Sequence, residues 1–202
     1  MNKLFAGFGK KKKPEKPIIV VSGLPRSGTS MMMKILSEGG LPIVTDELRS
    51  ADEDNPNGYF ELEMVKQLSA GNDAWLSNAG GSVIKVISAL LEYLPSQHSY
   101  KVIFMEREIQ EILSSQRKML ERRNKTSQTS DAEMEAQFLK HLSVIKPWLA
   151  RQPNMEVIYV SYNALMSDPE PLCRRVVEFT GVALHLERML SVPKGELYRN
   201  RS

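Results

Sequence analysis

The chain has 202 residues, a formal net charge of +3, one cysteine and 25% charged residues, enough for one sizeable core and with no composition break that suggests two. Most of the excess positive charge sits in Lys10, Lys11, Lys12, Lys13 and Lys16, so residues 1–16 read as a basic, disordered tail and 17–202 as a single domain. Phe5 and Phe8 ahead of the lysines allow weak docking on an anionic membrane, but a solvated tail fits the composition better. The rest is near neutral and has no aromatic-laced basic face, which argues against a nucleic-acid partner. No apolar run approaches the ~20 residues of a membrane span, and Met1 to Gly9 is too short for a secretory leader. A lone Cys173 at helical spacing reads as a buried, unpaired thiol, and a cytoplasmic location is expected.

Pro17 to Ser22 is a continuous β-branched run, the pattern of a strand buried on both faces of a parallel sheet. It leads into Gly23-Leu24-Pro25-Arg26-Ser27-Gly28-Thr29-Ser30, then into a helix over Met31 to Leu36 stopped by Gly39-Gly40. Pro42 to Gly58 is acidic and aperiodic, a long surface loop of the kind that carries function. A short helix is expected over Glu61 to Leu68, and strands over Ser82 to Ile87 and Tyr100 to Met105. Glu108 to Arg122 has one apolar face, with acids near its start and bases near its end, as a helix dipole favours. After a polar break come a helix over Asp131 to Leu149, a strand over Val157 to Val160 and a helix over Pro169 to Thr180 closed by Gly181. Strands alternating with helices predict an α/β fold with a mostly parallel central sheet.

A strand ending in a glycine loop that opens a helix is an anion site, because backbone N–H groups and the helix dipole point the same way. Gly23 and Gly28 have Walker A spacing, but Thr29-Ser30 stands where an NTPase carries Lys and then Ser or Thr. The cation has moved inside the loop, to Arg26.

These residues resemble the P-loop sulfotransferases. Pro25, Arg26, Ser27, Gly28, Thr29 and Ser30 look like the arginine version of that family's 5′-phosphosulfate loop, similar to the tyrosyl-protein branch. The family's 3′-phosphate site looks like an Arg after a later strand with a Ser eight positions on, which here are Arg107 and Ser115, with Ser114 adjacent. The resemblance implies a P-loop NTPase-like three-layer sandwich, 3′-phosphoadenosine 5′-phosphosulfate (PAPS) as co-substrate, no metal, and a hydroxyl or amine acceptor that the sequence leaves open. Val160 to Leu165 with Asp168-Pro169 resembles a further, chiefly structural family element, in which Asn163 departs from the family's Glu. The terminal Lys194, Arg199 and Arg201 loosely resemble a basic segment that closes over the nucleotide.

Sulfuryl transfer resembles phosphoryl transfer, so positioning and charge stabilisation at the leaving phosphate dominate. Arg26 suits that task, at roughly 3 kcal/mol by the scale of other electrostatic sites. The histidine base of the small-molecule branch is missing, because the comparable stretch reads Lys85-Val86-Ile87. Lys85 is expected to touch the sulfate or acceptor. Glu47 falls where the tyrosyl-protein branch has its catalytic Glu and is the first candidate base, with Arg49 as an acceptor contact. Glu61, behind Tyr59 and Phe60, is the second. His98, His141 and His185 read as surface or packing residues. Two rivals stay open: a catalytically inactive nucleotide-binding relative, and a P-loop kinase or NTPase using Glu106 at a strand end for Mg²⁺.

Overall fold

The computed structural model describes residues 16–46, 58–125 and 129–193. Glu47, Arg49, Lys194, Arg199, Arg201 and nearly all of the basic tail lie outside the described residues.

Four strands form one sheet in the order β2-β1-β3-β4, where β1 is Ile18–Gly23, β2 Val83–Lys85, β3 Tyr100–Glu106 and β4 Met155–Ser161. Every pairing is parallel, with Val20 opposite Ile84 on one side and Val102 on the other, and Val102 opposite Val157. All six residues of β1 are buried, as expected of a central strand covered on both faces. Beyond β2 the chain adds one parallel bridge, Ile43 to Val83, so the loop predicted from Pro42 begins as an extension of the sheet edge.

Strand alternation splits the core into two layers. Ile19, Val21, Val83, Ile103 and Met105 face one way. They pack against α1 (Thr29–Glu38), α5 (Tyr162–Ser167), α6 (Pro169–Thr180) and α7 (Leu186–Leu190). Ile18, Val20, Ile84, Val102 and Phe104 face the other way, under α2 (Glu63–Lys66), three 3₁₀ turns and α4 (Asp131–Leu149). The result is the expected three-layer α/β sandwich.

The helices Asp131–Leu149 and Pro169–Thr180 match expectation, the first opened by a Ser130/Glu133 capping box and the second closed by Gly181 at φ 70°. The helix α3 covers Ile109–Arg122, with Glu108 as its cap residue. Several elements differ from the sequence reading, among them β2, which is shorter than the strand expected over Ser82 to Ile87. The helix expected over Glu61 to Leu68 is only α2 followed by a 3₁₀ turn at Leu68–Ala70. The strand expected over Val157 to Val160 runs Met155–Ser161, because seven residues find partners on β3. Helices α5 and α7 were not expected; α5 begins where the Ser161 hydroxyl accepts a bond from the Ala164 N–H.

Candidate active site

All four strands end at the same edge of the sheet, and parallel α/β folds place ligand sites at the carboxyl ends of their strands. The loop after β1, Lys85 at the end of β2, Arg107 after β3 and Tyr162 after β4 therefore meet there.

The loop geometry requires its glycines. Gly23 has φ 147°, and a Cβ on it would lie 2.5 Å from Ser27 Oγ and 2.6 Å from the Met105 carbonyl oxygen. Gly28 has φ 98°, and a Cβ there would lie 2.4 Å from the Tyr162 ring. Arg26 itself is left-handed at φ 69°, a conformation that a residue with a Cβ adopts only when its surroundings hold it. Helix α1 starts directly after Gly28 with no side-chain cap and no acid in its first turn, which leaves its positive end to an external anion. Ser27 is 1% exposed, and its hydroxyl has no hydrogen-bond partner among the described residues. A buried hydroxyl of this kind fits a loop built to meet phosphate oxygens.

Ser115 and Arg107 are among the residues that hold Arg26. Its Nε donates to Ser115 Oγ at 3.0 Å, and its carbonyl accepts from Arg107 Nη1 at 3.2 Å. The three residues singled out by sequence thus meet directly, across 81 and 89 positions of chain. Arg107 also donates from Nε to Glu111 at 2.8 Å and lies over the Tyr162 ring at 4.2 Å. Asn163 Nδ2 donates to the other Glu111 oxygen at 2.8 Å. The Arg107–Glu111 pair is almost wholly buried. The sequence reading missed Glu111, although its i,i+4 spacing from Arg107 was a visible signal.

On the other side of the loop, Lys85 Nζ donates to Ser30 Oγ at 3.2 Å and to the Tyr59 carbonyl. The Tyr59 hydroxyl accepts from Arg123 at 3.1 Å. The two ends of the acidic loop are tied together: Thr45 donates to the Glu61 carbonyl at 2.9 Å, and Asp46 accepts from the Glu63 N–H at 2.6 Å. Glu61 is partly buried beside this tie. Glu47 follows Asp46 but lies outside the described residues.

A cleft of about 300 Å³ opens beside Ser27 and Arg107, with Phe104, Ile112, Leu142 and Lys146 among its walls. Glu106, the acid on which a kinase reading depends, is ion-paired with Lys146. No group of three or more His, Cys, Asp or Glu side chains suited to a metal occurs among the described residues. His141 Nε2 lies 2.9 Å from Ser88 Oγ, and burial lowers its pKa below the ordinary 6.5, against a smaller opposing pull from Glu92. His98 is buried, and His185 sits at the start of α7 with its N–H on the Gly39 carbonyl. Cys173 is fully buried, which pushes its thiol up to about 11. None of the described helices is long and apolar enough to cross a membrane.

A parallel sheet between two helical layers, with a glycine loop leading from an inner strand into a helix, is the P-loop NTPase-like fold. The sequence pattern of the Sulfotransferase family matches residues 59–185, more than half of the chain, and the chain belongs to that family. Solved structures share the fold at low identity. The mouse sulfotransferase SULT7A1 complexed with PAP has 17% identity and a TM-score of 0.57, over 90% of this chain and 63% of that one. Sulfotransferase STF1 from Mycobacterium tuberculosis H37Rv has 15% identity and a TM-score of 0.56, over 89% of this chain and 72% of that one. The sulfotransferase domain from the curacin biosynthetic pathway has 14% identity and a TM-score of 0.51, covering 89% and 78% respectively. The chain thus spans less than two thirds of the mouse protein's length. No curated protein matches it.

Proposed function

We propose that the chain is a PAPS-dependent sulfotransferase in which residues 17–202 form one catalytic domain working in the cytoplasm. The observation that carries this reading is the meeting of Arg26, Arg107 and Ser115. The Arg107 guanidinium bonds the loop backbone at Arg26 and the Ser115 hydroxyl takes the Arg26 side chain, an arrangement suited to a nucleotide that carries a phosphate at each end. The family pattern and the fold of the PAP-bound mouse protein agree with it.

In this mechanism the backbone N–H groups from Gly28 to Ser30 hold the 5′-phosphate, helped by the Pro25 turn, while the Ser27 N–H closes the loop on the Leu24 carbonyl. Arg107 and Ser115 hold the 3′-phosphate. The acceptor oxygen or nitrogen attacks sulfur in line, and its new bond forms as the bond from sulfur to the phosphate oxygen breaks. The electron pair leaves on that oxygen, where the Arg26 guanidinium stabilises the growing charge. Lys85, already on Ser30, reaches the transferring sulfuryl oxygens, and a carboxylate takes the acceptor proton. Glu47 is the base by its likeness to the tyrosyl-protein branch; the described residues ahead of it, Thr45 and Asp46, are tied to Glu61 and Glu63.

Equilibrium binding tests the reading. Adenosine 3′,5′-bisphosphate should bind at least tenfold more tightly than ADP, with no gain from Mg²⁺, and a preference for ADP with Mg²⁺ would overturn the proposal in favour of a kinase. Transfer of label from PAPS should vanish in Glu47→Ala while bisphosphate binding persists. A chain that binds the bisphosphate but transfers nothing to any hydroxyl or amine acceptor is an inactive relative.

A further inference from the structure

Lys85 Nζ donates to Ser30 Oγ at 3.2 Å and to the main-chain carbonyl of Tyr59. Tyr59 is itself buried, and its hydroxyl accepts from Arg123 Nη2 at 3.1 Å. Arg123 is the C-cap residue of α3, where its N–H bonds the Met119 and Leu120 carbonyls. Tyr59 thus joins the end of β2 to the end of α3, with its carbonyl on one and its hydroxyl on the other.

The backbone on both sides of Tyr59 is left-handed: Gly58 has φ 84° and Phe60 has φ 48°. Glycine takes that conformation freely. A phenylalanine there is strained and persists only where its surroundings over-determine it. Here the Phe60 side chain packs against the core layer that contains α1, and the carbonyl of the next residue, Glu61, accepts from Thr45 Oγ1 at 2.9 Å. The strain therefore falls on the residue whose N–H shares a peptide plane with the carbonyl that Lys85 takes.

An ammonium has three N–H donors at tetrahedral angles, so fixing two of them sets the direction of the third. A lysine on its four-carbon stem otherwise spreads its charge over many rotamers. Ser30, in the first turn of α1, and the Tyr59 carbonyl together keep the Lys85 ammonium beside the phosphate loop. We propose that Tyr59 is a positioning residue: anchored by Arg123, it presents the carbonyl that aims Lys85 at the sulfuryl group of the donor. The identity of that group rests on the sulfotransferase reading; the linkage from Arg123 through Tyr59 and Lys85 to Ser30 does not.

Equilibrium binding of PAPS and of adenosine 3′,5′-bisphosphate to the full chain tests this without any acceptor, because the ratio of the two affinities isolates the sulfuryl contacts. Lys85→Ala should lower the affinity for PAPS relative to the bisphosphate roughly tenfold, the scale of a hydrogen bond from a charged donor. Tyr59→Phe removes the hydroxyl bond to Arg123 and should lower the same ratio about threefold with the bisphosphate affinity unchanged. In a Lys85→Ala background Tyr59→Phe should lower it no further, since a residue that acts through the amine then has nothing to act on. Arg123→Met breaks the same bond from its exposed side and should repeat the threefold loss; it decides the matter if a thermal melt shows that Tyr59→Phe does not fold. A ratio unmoved by Lys85→Ala or by Tyr59→Phe, a further loss in the Lys85→Ala background, or an equal loss for both ligands overturns the inference and leaves the functional reading standing. A wild-type chain that binds neither nucleotide overturns both.

Discussion

Gly28 carries two separate demands, which a comparison with Gly71 resolves. Both have positive φ, 98° and 77°, but a Cβ on Gly28 would strike the Tyr162 ring at 2.4 Å, whereas nothing lies within 4 Å of one on Gly71. Gly71→Ala should therefore cost only left-handed backbone strain, about 1–2 kcal/mol. Gly28→Ala adds a steric conflict with a buried ring that also supports Arg107, so its cost should be larger, roughly 2–4 kcal/mol. Urea unfolding of the two variants reads the difference directly. Equal costs would show that Tyr162 yields easily, and then its ring could not be what steadies Arg107.

Helix α4 illustrates what a sequence discloses about an element and what it does not. The capping box of Ser130 and Glu133 and the apolar positions that become Ile145 and Leu149 were legible locally, and the helix has the expected bounds. Its attachment was not. His141 bonds Ser88 across 53 residues, at the 3₁₀ turn Ser88–Tyr93 that follows β2, a contact that exists only once α4 lies over the sheet. The same reason explains the helices missed at α5 and α7. Each has six residues or fewer, too short for a period to declare itself, and each is fixed by tertiary packing of Tyr162, Leu165 and Met189 in one core layer. The half-buried His141 has a consequence for stability. Burial lowers its folded pKa below 6.5, so the unfolded chain binds the proton more readily. Stability should be unaffected by this group above pH 6.5 and should fall as the pH drops from there through the folded pKa. Melting temperatures measured from pH 8 to 5 should show His141→Gln losing less stability than wild type over that interval. Parallel curves would mean that the ring is solvated.

At the scale of the whole molecule, the proposed nucleotide site draws on three separate units: the loop between β1 and α1, the start of α3 after β3, and the start of α5 after β4. Arg26, Arg107 and Ser115 were legible because each belongs to a short local pattern. Glu111, Tyr162 and Asn163 were not legible as a cradle, since nothing in the chain announces that β4 lies beside β3. Only that adjacency brings Asn163 to Glu111 across 52 positions. A site of this construction is absent from the unfolded chain, so nucleotide binding must stabilise the fold by mass action. The central sheet is shared by both core layers, which favours a single cooperative transition that senses the site as a whole. At a bisphosphate concentration ~100 times its dissociation constant the added stability is about 2.7 kcal/mol. For a chain of this size that corresponds to a rise in melting temperature of roughly 5–10 °C. Arg107→Ala should lose most of the rise at the same ligand concentration, while adenosine 5′-monophosphate should shift wild type and variant alike. Two resolved transitions, with only one moved by ligand, would show that the two core layers unfold separately and that the site reports on one of them.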